Sequence, residues 1–309
     1  MFLSWTQTNL TRMIRIGTRK SALALWQANQ VKDKLDQLGA TTILVPVESK
    51  GDQNLTDPLY RMGIQGIFTK TLDAALIDKK IDIAVHSLKD VPTVLAKGIE
   101  ISAVLERGAN KDVIVYPLKK NQDKIIATGS LRRKAQWLRK YPEYKVENIR
   151  GNINKRLEKL EHSLWSGAIF AKAGIERLGL SGLNYDNLDW MISAPGQGVI
   201  GIASLISNNE IKPYLKKINC EKTKLCAKIE RTFLNTLEGG CTAPIGAHSR
   251  IENDTLFFKG GLFSLDGKDA ITLDDQISLN QSKDFGVKAA KRILNQGGIS
   301  LLKKIKYQM

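Results

Sequence analysis

Short β-branched runs alternate with stretches of helical period along most of this chain. Ile14-Arg-Ile-Gly17 and Thr42 to Val47 read as strands, and Leu23, Trp26, Val31, Leu35 and Leu38 form the apolar face of a helix between them. Ser21 stands where it can cap that helix. A helix through Phe68, Leu72, Ala75 and Leu76 leads to a strand over Ile81 to Val85. Ile99 to Val104 and Val113 to Tyr116 flank a crossing at Glu106-Arg-Gly-Ala-Asn110, after which the plan repeats. Ile125 to Thr128 is followed by a helix with Leu131, Ala135 and Leu138 on one face. Val146 to Ile149 is followed by a helix through Ile153, Leu157 and Leu160, and Ala168 to Ala171 is a further strand. Such alternation predicts parallel, doubly wound sheets covered on both faces, with ligands beyond the carboxyl ends of the strands.

The pattern changes beyond Lys222. Leu225, Ile229, Phe233, Leu234 and Leu237 recur at helical spacing. Thr255 to Phe258, Gly261 to Ser264 and Ile271 to Leu273 predict antiparallel strands, with a turn at Leu265-Asp-Gly-Lys268. A helix through Phe285, Val287, Ala290 and Ile293 completes a small α+β unit.

Two stretches carry candidate chemistry. In Leu237-Glu-Gly-Gly-Cys241, the glycines stop the helix and leave the thiol on a tight turn with little bulk beside it, before Pro244. Cys241 is then either a small buried hydrophobe or an attachment point for a group carried on sulfur. In His86-Ser-Leu-Lys-Asp-Val-Pro92, proline biases Val91 to extended geometry, so Lys89 and Asp90 occupy a stiff segment after a buried strand. Asp90 is either a turn residue or a carboxylate able to stabilise a cationic group. Arginines recur at the predicted ligand edge: Arg19, Arg132 and Arg133 after Gly129-Ser130, Arg150 before Gly151, Arg156, and Arg177. Arginine suits two-pronged capture of carboxylates, and Ser130 with the open N–H groups of its helix adds an anion site.

Lys plus Arg is 47 against 31 for Asp plus Glu, a net charge of +16 that attracts polyanions. Aromatics are only 6%, with no basic-aromatic motif, which argues against a nucleic-acid partner. No run is long enough to span a membrane, and Met1 to Met13 lack the form of a signal peptide. Three cysteines in 309 residues suit a reducing compartment, so a cytoplasmic location is expected. His86, His162 and His248 are too far apart for a zinc motif, and no metal is expected. Gly196-Gln-Gly-Val-Ile-Gly201 matches a dinucleotide fingerprint but follows Ser193-Ala-Pro195 and not a strand.

Asp82-Ile-Ala-Val-His-Ser-Leu-Lys-Asp-Val-Pro92 resembles the signature loop of the porphobilinogen deaminase (hydroxymethylbilane synthase) family, and Leu237 to Cys241 resembles its cofactor-attachment motif. The Gly-Gln-Gly segment is similar to the family's return from its second domain to its first. The resemblance runs over nearly the whole chain from Ile14. It implies two doubly wound, periplasmic-binding-protein-like α/β domains plus a small α+β C-terminal domain. Their expected limits are 1–106 with a return segment 200–222, then 107–199, then 223–309. It implies a monomer that condenses four porphobilinogen molecules into hydroxymethylbilane, releasing ammonia each time, on a dipyrromethane cofactor held by a thioether to Cys241. Asp90 matches the catalytic aspartate, expected to assist loss of ammonia and stabilise the cationic azafulvene. Lys89, Asp90, Thr128, Ser130, Arg132, Arg133, Arg150 and Gly151 are implied at the cofactor. Arg19, Ser21, Phe68, Arg156, Arg177 and Gln197 are implied at the substrate. Gln65, Gly129 and Ala203 depart from the residues frequent in the family. The rival readings are a non-catalytic protein that binds a polycarboxylate, which would have no use for Cys241, and a nucleic-acid binder.

Overall fold

The computed structural model describes residues 13–48, 69–119, 121–237 and 244–308. β1 (Ile14–Arg19) enters α1 (Ala22–Gln37) through Ser21, whose hydroxyl accepts the Ala24 N–H at 3.3 Å and satisfies a donor the helix start leaves open. The buried face of α1 is Gln27, Ala28, Val31 and Leu35. Leu38 is instead its exposed C-cap, and Leu23 and Trp26 are only half-buried. Gln27 can face inward because its amide donates to the Ser87 hydroxyl at 2.9 Å. β2 (Thr42–Val47), α2 (Lys70–Ile77), β3 (Ile83–Ser87), a 3-10 turn (Leu88–Asp90) and β4 (Ile99–Val104) follow.

The chain then crosses to β5 (Asp112–Val115), β6 (Ile125–Ala127), α3 (Leu131–Lys140), β7 (Lys145–Glu147), α4 (Ile153–Glu161), β8 (Gly167–Ala171), α5 (Lys172–Arg177) and β9 (Tyr185–Asn187). It returns through β10 (Ile200–Leu205), α6 (Lys212–Ile218) and α7 (Glu221–Thr236). Last come β11 (Ile245–Glu252), β12 (Thr255–Phe263), β13 (Ala270–Ser278), α8 (Phe285–Ile293) and α9 (Ile299–Gln308). No helix among the described residues is long and apolar enough to cross a membrane.

The described strands form two five-stranded sheets, ordered β2-β1-β3-β10-β4 and β7-β6-β8-β5-β9, and an antiparallel sheet β11-β12-β13. β1 is parallel to β2 and β3, and β6 to β7 and β8, as the alternating pattern predicts. Both large sheets are nevertheless mixed. β10 runs antiparallel to β3 and β4, and β5 antiparallel to β8 and β9. Each of these is the strand that arrives from the other sheet, so each sheet is entered once against the grain. Helices cover both faces of the first sheet: Val31 and Leu35 pack with Ile16, Ile83 and Ile202 on one side, Leu72 and Leu76 with Ala84 and Ala203 on the other.

In the third unit, the two short strands expected before Ser264 are one strand, β12. Gly260 and Gly261 do not break it. A Cβ on Gly260 would meet the Phe258 ring at 2.7 Å and the Phe233 ring at 2.8 Å, so glycine here makes room for the edge-on Phe233–Phe258 pair. β11 and α9 were not foreseen. The first of them brings Ser249 to the junction described below.

Candidate active site

β3 is buried up to its last residue, and the chain leaves it by a single turn. The Val91 N–H donates to the Leu88 carbonyl at 3.1 Å, and Val91 is extended (φ −85°, ψ 127°), as the following proline requires. Leu88 and Val91 are buried against Val104, Val199 and Ala227. Lys89 and Asp90 therefore project, half-buried, from a turn pinned on both sides by apolar residues. The Lys89 ammonium reaches the Gln197 amide oxygen at 3.4 Å. Burial, then the Arg133 guanidinium, pulls it down to about 8, against the opposing pull of Asp90 and Asp112.

Asp112, at the first position of β5, was not singled out from the sequence, yet it organises the cations. Its carboxylate is fully buried and accepts from Arg132 Nη1 at 2.7 Å, Arg133 Nε at 3.0 Å and Nη2 at 2.7 Å, and Gln197 Nε2 at 3.0 Å. Burial alone would raise this carboxyl; Arg132 and Arg133 outweigh it and hold it well below the usual carboxylate range. The consequence reaches back to the helix pattern. α3 buries Arg132, Arg133, Ala135, Gln136 and Trp137, while Leu131 and Leu138 are only half-buried. Of the predicted apolar face of α3 only Ala135 is buried, because a buried carboxylate and the carbonyls of Ile192 (2.7 Å from Arg132 Nη1) and Ile169 (3.0 Å from Arg133 Nη1) compensate the arginines inside.

Ser130 caps α3 by accepting the Arg133 N–H at 3.4 Å, and the buried Thr128 hydroxyl accepts the Ser130 N–H at 3.3 Å. Arg150 is buried as well. The Gly151 carbonyl accepts from Arg156 Nε at 2.7 Å, and Asn152 caps α4 by accepting the Lys155 N–H at 3.0 Å. Burial, then Arg133 and Arg150, lowers Arg156 to about 10, with Asp90 opposing. Lys89, Asp90, Asp112, Arg132, Arg133, Arg150 and Arg156 are therefore one electrostatic cluster in which five cations meet two carboxylates. At Gly129, a Cβ would lie 2.7 Å from the Ile149 carbonyl, so the serine frequent in the family would need this loop to shift. Ala203 is buried in β10 among core residues.

Other expected site residues have different engagements. Arg177 donates from Nη2 to the Gly198 carbonyl at 2.6 Å and lies 5.6 Å from the Trp26 ring. Ser21 caps α1. Arg19 ends β1 near His86, which burial and then Arg19 lower to about 4. Phe68, Gln65 and Cys241 lie outside the described residues.

Gly196-Gln-Gly198 joins no helix and runs into β10, beside the crossing that precedes β5. Gly108 N–H donates to the Gly198 carbonyl at 3.1 Å. Gly198 has φ +81°, and a Cβ there would sit 2.7 Å from the Ala109 carbonyl, so only glycine lets the two crossings lie this close. Glu230 of α7 is fully buried at this junction, accepting from Gly196 N at 2.8 Å, Ser249 N at 2.7 Å and Arg107 Nη2 at 2.9 Å. One signal for it was legible: a glutamate on the face of α7 that also carries Cys226 and Phe233.

Two family models match the chain: "Porphobilinogen deaminase, dipyromethane cofactor binding domain" over residues 14–213, and "Porphobilinogen deaminase, C-terminal domain" over residues 224–295. Curated relatives named porphobilinogen deaminase align along almost the full length. That of Chloroherpeton thalassium is 37% identical over 96% of this chain and 99% of its own. That of Desulfosudis oleivorans is 38% identical over 96% and 98%, and that of Desulfitobacterium hafniense 39% over 95% and 97%. Among solved structures, the periplasmic VFT2 domain of Bordetella pertussis BvgS is similar at 12% identity and a TM-score of 0.41, over 67% of this chain and 86% of that one.

Proposed function

The chain belongs to the porphobilinogen deaminase family, transferases of tetrapyrrole biosynthesis, and on that premise we propose that it couples four porphobilinogen molecules into hydroxymethylbilane with release of ammonia. The observation that carries the reading is the cationic cluster around Asp90, at the carboxyl end of β3. A growing oligopyrrole gains two carboxylates with each unit. Charge-assisted hydrogen bonds contribute about 1.5–3 kcal/mol each, so a handful of cations can hold such a chain without a deep apolar pocket.

The donor set also fits a dipyrromethane cofactor, whose carboxylates need the same partners: Lys89, Arg132, Arg133, Arg150, Thr128, Ser130 and the backbone at Gly151 would hold it, with Cys241 as its thioether attachment. When bound, that group supplies the nucleophilic pyrrole carbon to which substrate is joined. Arg19, Ser21, Phe68, Arg156, Arg177 and Gln197 are assigned to the incoming substrate. The Asp90 carboxylate acts where the substrate's C–N bond breaks. From the protonated aminomethyl group the C–N electron pair leaves with nitrogen as ammonia, and positive charge develops on the pyrrole of the substrate. A fixed carboxylate stabilises that charge more in the transition state than before it. Asp112 takes no part in this step; it keeps the guanidinium groups ordered and offsets part of their mutual repulsion. The proposed domain limits are 1–106 with 200–222, 107–199, and 223–309, in a monomeric cytoplasmic enzyme.

Incubation of the purified protein with porphobilinogen tests the reading, by counting ammonia released against linear tetrapyrrole formed. Four ammonia per tetrapyrrole is expected. Saturable porphobilinogen binding without ammonia release would make the chain a polycarboxylate-binding protein instead.

A further inference from the structure

The turn that carries Asp90 is closed by one backbone hydrogen bond, Val91 N–H to Leu88 O at 3.1 Å, and continues into a proline that has no N–H to give. So short a turn does not fix its own aim, and its outward carbonyls need donors. They find them on α7. Arg231 donates from Nη1 to the Val91 carbonyl at 2.8 Å and the Leu88 carbonyl at 3.4 Å, and from Nη2 to the Pro92 carbonyl at 2.5 Å. Ala227, one turn earlier on α7, packs with Leu88 and Val91. Asn235, one turn later, meets the Thr93 hydroxyl at 3.0 Å. Residues 227, 231 and 235 thus lay one face of α7 along the Asp90 segment.

We infer that Arg231 is a positioning residue for the reaction: its guanidinium clamps three carbonyls of the Leu88–Pro92 segment and so aims the Asp90 carboxylate from another domain. This rests on the reading of Asp90 given above. The planar fork matters, because one flat group with donors on two nitrogens spans neighbouring carbonyls, whereas an ammonium is a single point. Loss of the clamp frees the turn without touching substrate, and a displacement of about 1 Å in a reacting group costs on the order of a hundredfold in rate.

The test compares wild-type holoenzyme with Arg231→Met, Arg231→Lys and Asn235→Ala, each checked for cofactor content by intact mass, in kcat, KM for porphobilinogen and thermal midpoint. For Arg231→Met we expect kcat to fall by roughly 30-fold or more with KM within about threefold, and Arg231→Lys to recover part of the loss. Asn235→Ala removes a contact to the same segment but not to the turn, and should keep kcat within about twofold whatever its midpoint does. An Arg231→Met enzyme with wild-type kcat, or an Asn235→Ala enzyme that loses kcat in step with stability, overturns the proposal. If Arg231→Met does not fold, Arg231→Lys decides: a kcat lowered about tenfold at unchanged KM supports the clamp, and a wild-type kcat overturns it. Wild-type protein that releases no ammonia from porphobilinogen would overturn the function itself, an outcome distinct from an active wild type beside an equally active Arg231→Met.

Discussion

Replacing Asp112 by alanine isolates the group that holds the cationic cluster together. The carboxylate is fully buried and accepts from Arg132, Arg133 and Gln197, at 2.7–3.0 Å. Its removal leaves two guanidinium groups, themselves only 5% and 6% exposed, without their counterion. Breaking a buried pair by deleting one partner costs about 3–5 kcal/mol, because the charge left behind stays desolvated. At about 2–4 °C per kcal/mol for a domain of this size, the thermal midpoint should drop by on the order of 10 °C. The loss should depend on pH in a defined direction. The folded carboxyl lies below its unfolded value, so its contribution is fully present above about 4 and is lost as pH falls through the depressed folded value. Thermal unfolding followed by near-ultraviolet circular dichroism, for both proteins from pH 7 to pH 3, should show the gap between them narrowing on the acid side. A midpoint unchanged at pH 7, or a gap as wide at pH 3 as at pH 7, would refute the buried-counterion account.

Four further outcomes follow from the cluster. Asp90→Asn keeps the shape and removes the charge, so single-turnover ammonia release should fall sharply at a near-normal thermal midpoint; loss of activity only through unfolding would take Asp90 off the catalytic list. Lys89, lowered to about 8, should lose its charge as pH rises through that value, so KM for porphobilinogen should climb there and the climb should vanish in Lys89→Met. The same depression means the charged lysine opposes folding, so wild-type stability should gain relative to Lys89→Met between about pH 8 and 10.4. Arg132→Lys keeps the charge but ends one bond short of the Nη1 atom that serves both Asp112 and the Ile192 carbonyl, and should lower kcat/KM and the midpoint together; wild-type values for both would show that the guanidinium is not needed.

What was legible in the sequence, and what was not, divides along physical lines. Period and β-branched runs announced β1, β2, β4 and β8, because strands of a covered sheet read as short apolar runs, and the helices between them, because each buries one face. The strand-end position of Lys89 and Asp90 was readable from Val91-Pro92. α3 and its buried Ala135 follow from the period, but the half-buried Leu131 and Leu138 do not, because Asp112, twenty residues away, draws Arg132 and Arg133 inside. Gly260 and Gly261 suggested a break because glycine usually marks one; their actual cause is the space that rings fill, Phe258 and Phe233 at Gly260 and Phe263 at Gly261. Arg231 and Asp112 carry no local signature, since each acts on a partner distant in sequence. The antiparallel sense of β5 and β10 was equally hidden, because direction within a sheet depends on which unit the chain has come from.

Attachment of a dipyrromethane at Cys241 is the claim on which the enzyme reading turns, and the mass of the purified protein tests it directly. The intact protein should be heavier than its sequence by two porphobilinogen units less the two ammonia molecules lost in joining them. After proteolysis, the increment should travel with the peptide containing Cys241 and disappear in Cys241→Ser, whose hydroxyl is a poorer nucleophile than a thiolate. A catalytically active preparation whose mass equals the bare sequence, or whose increment sits on Cys220 or Cys226, would contradict the account.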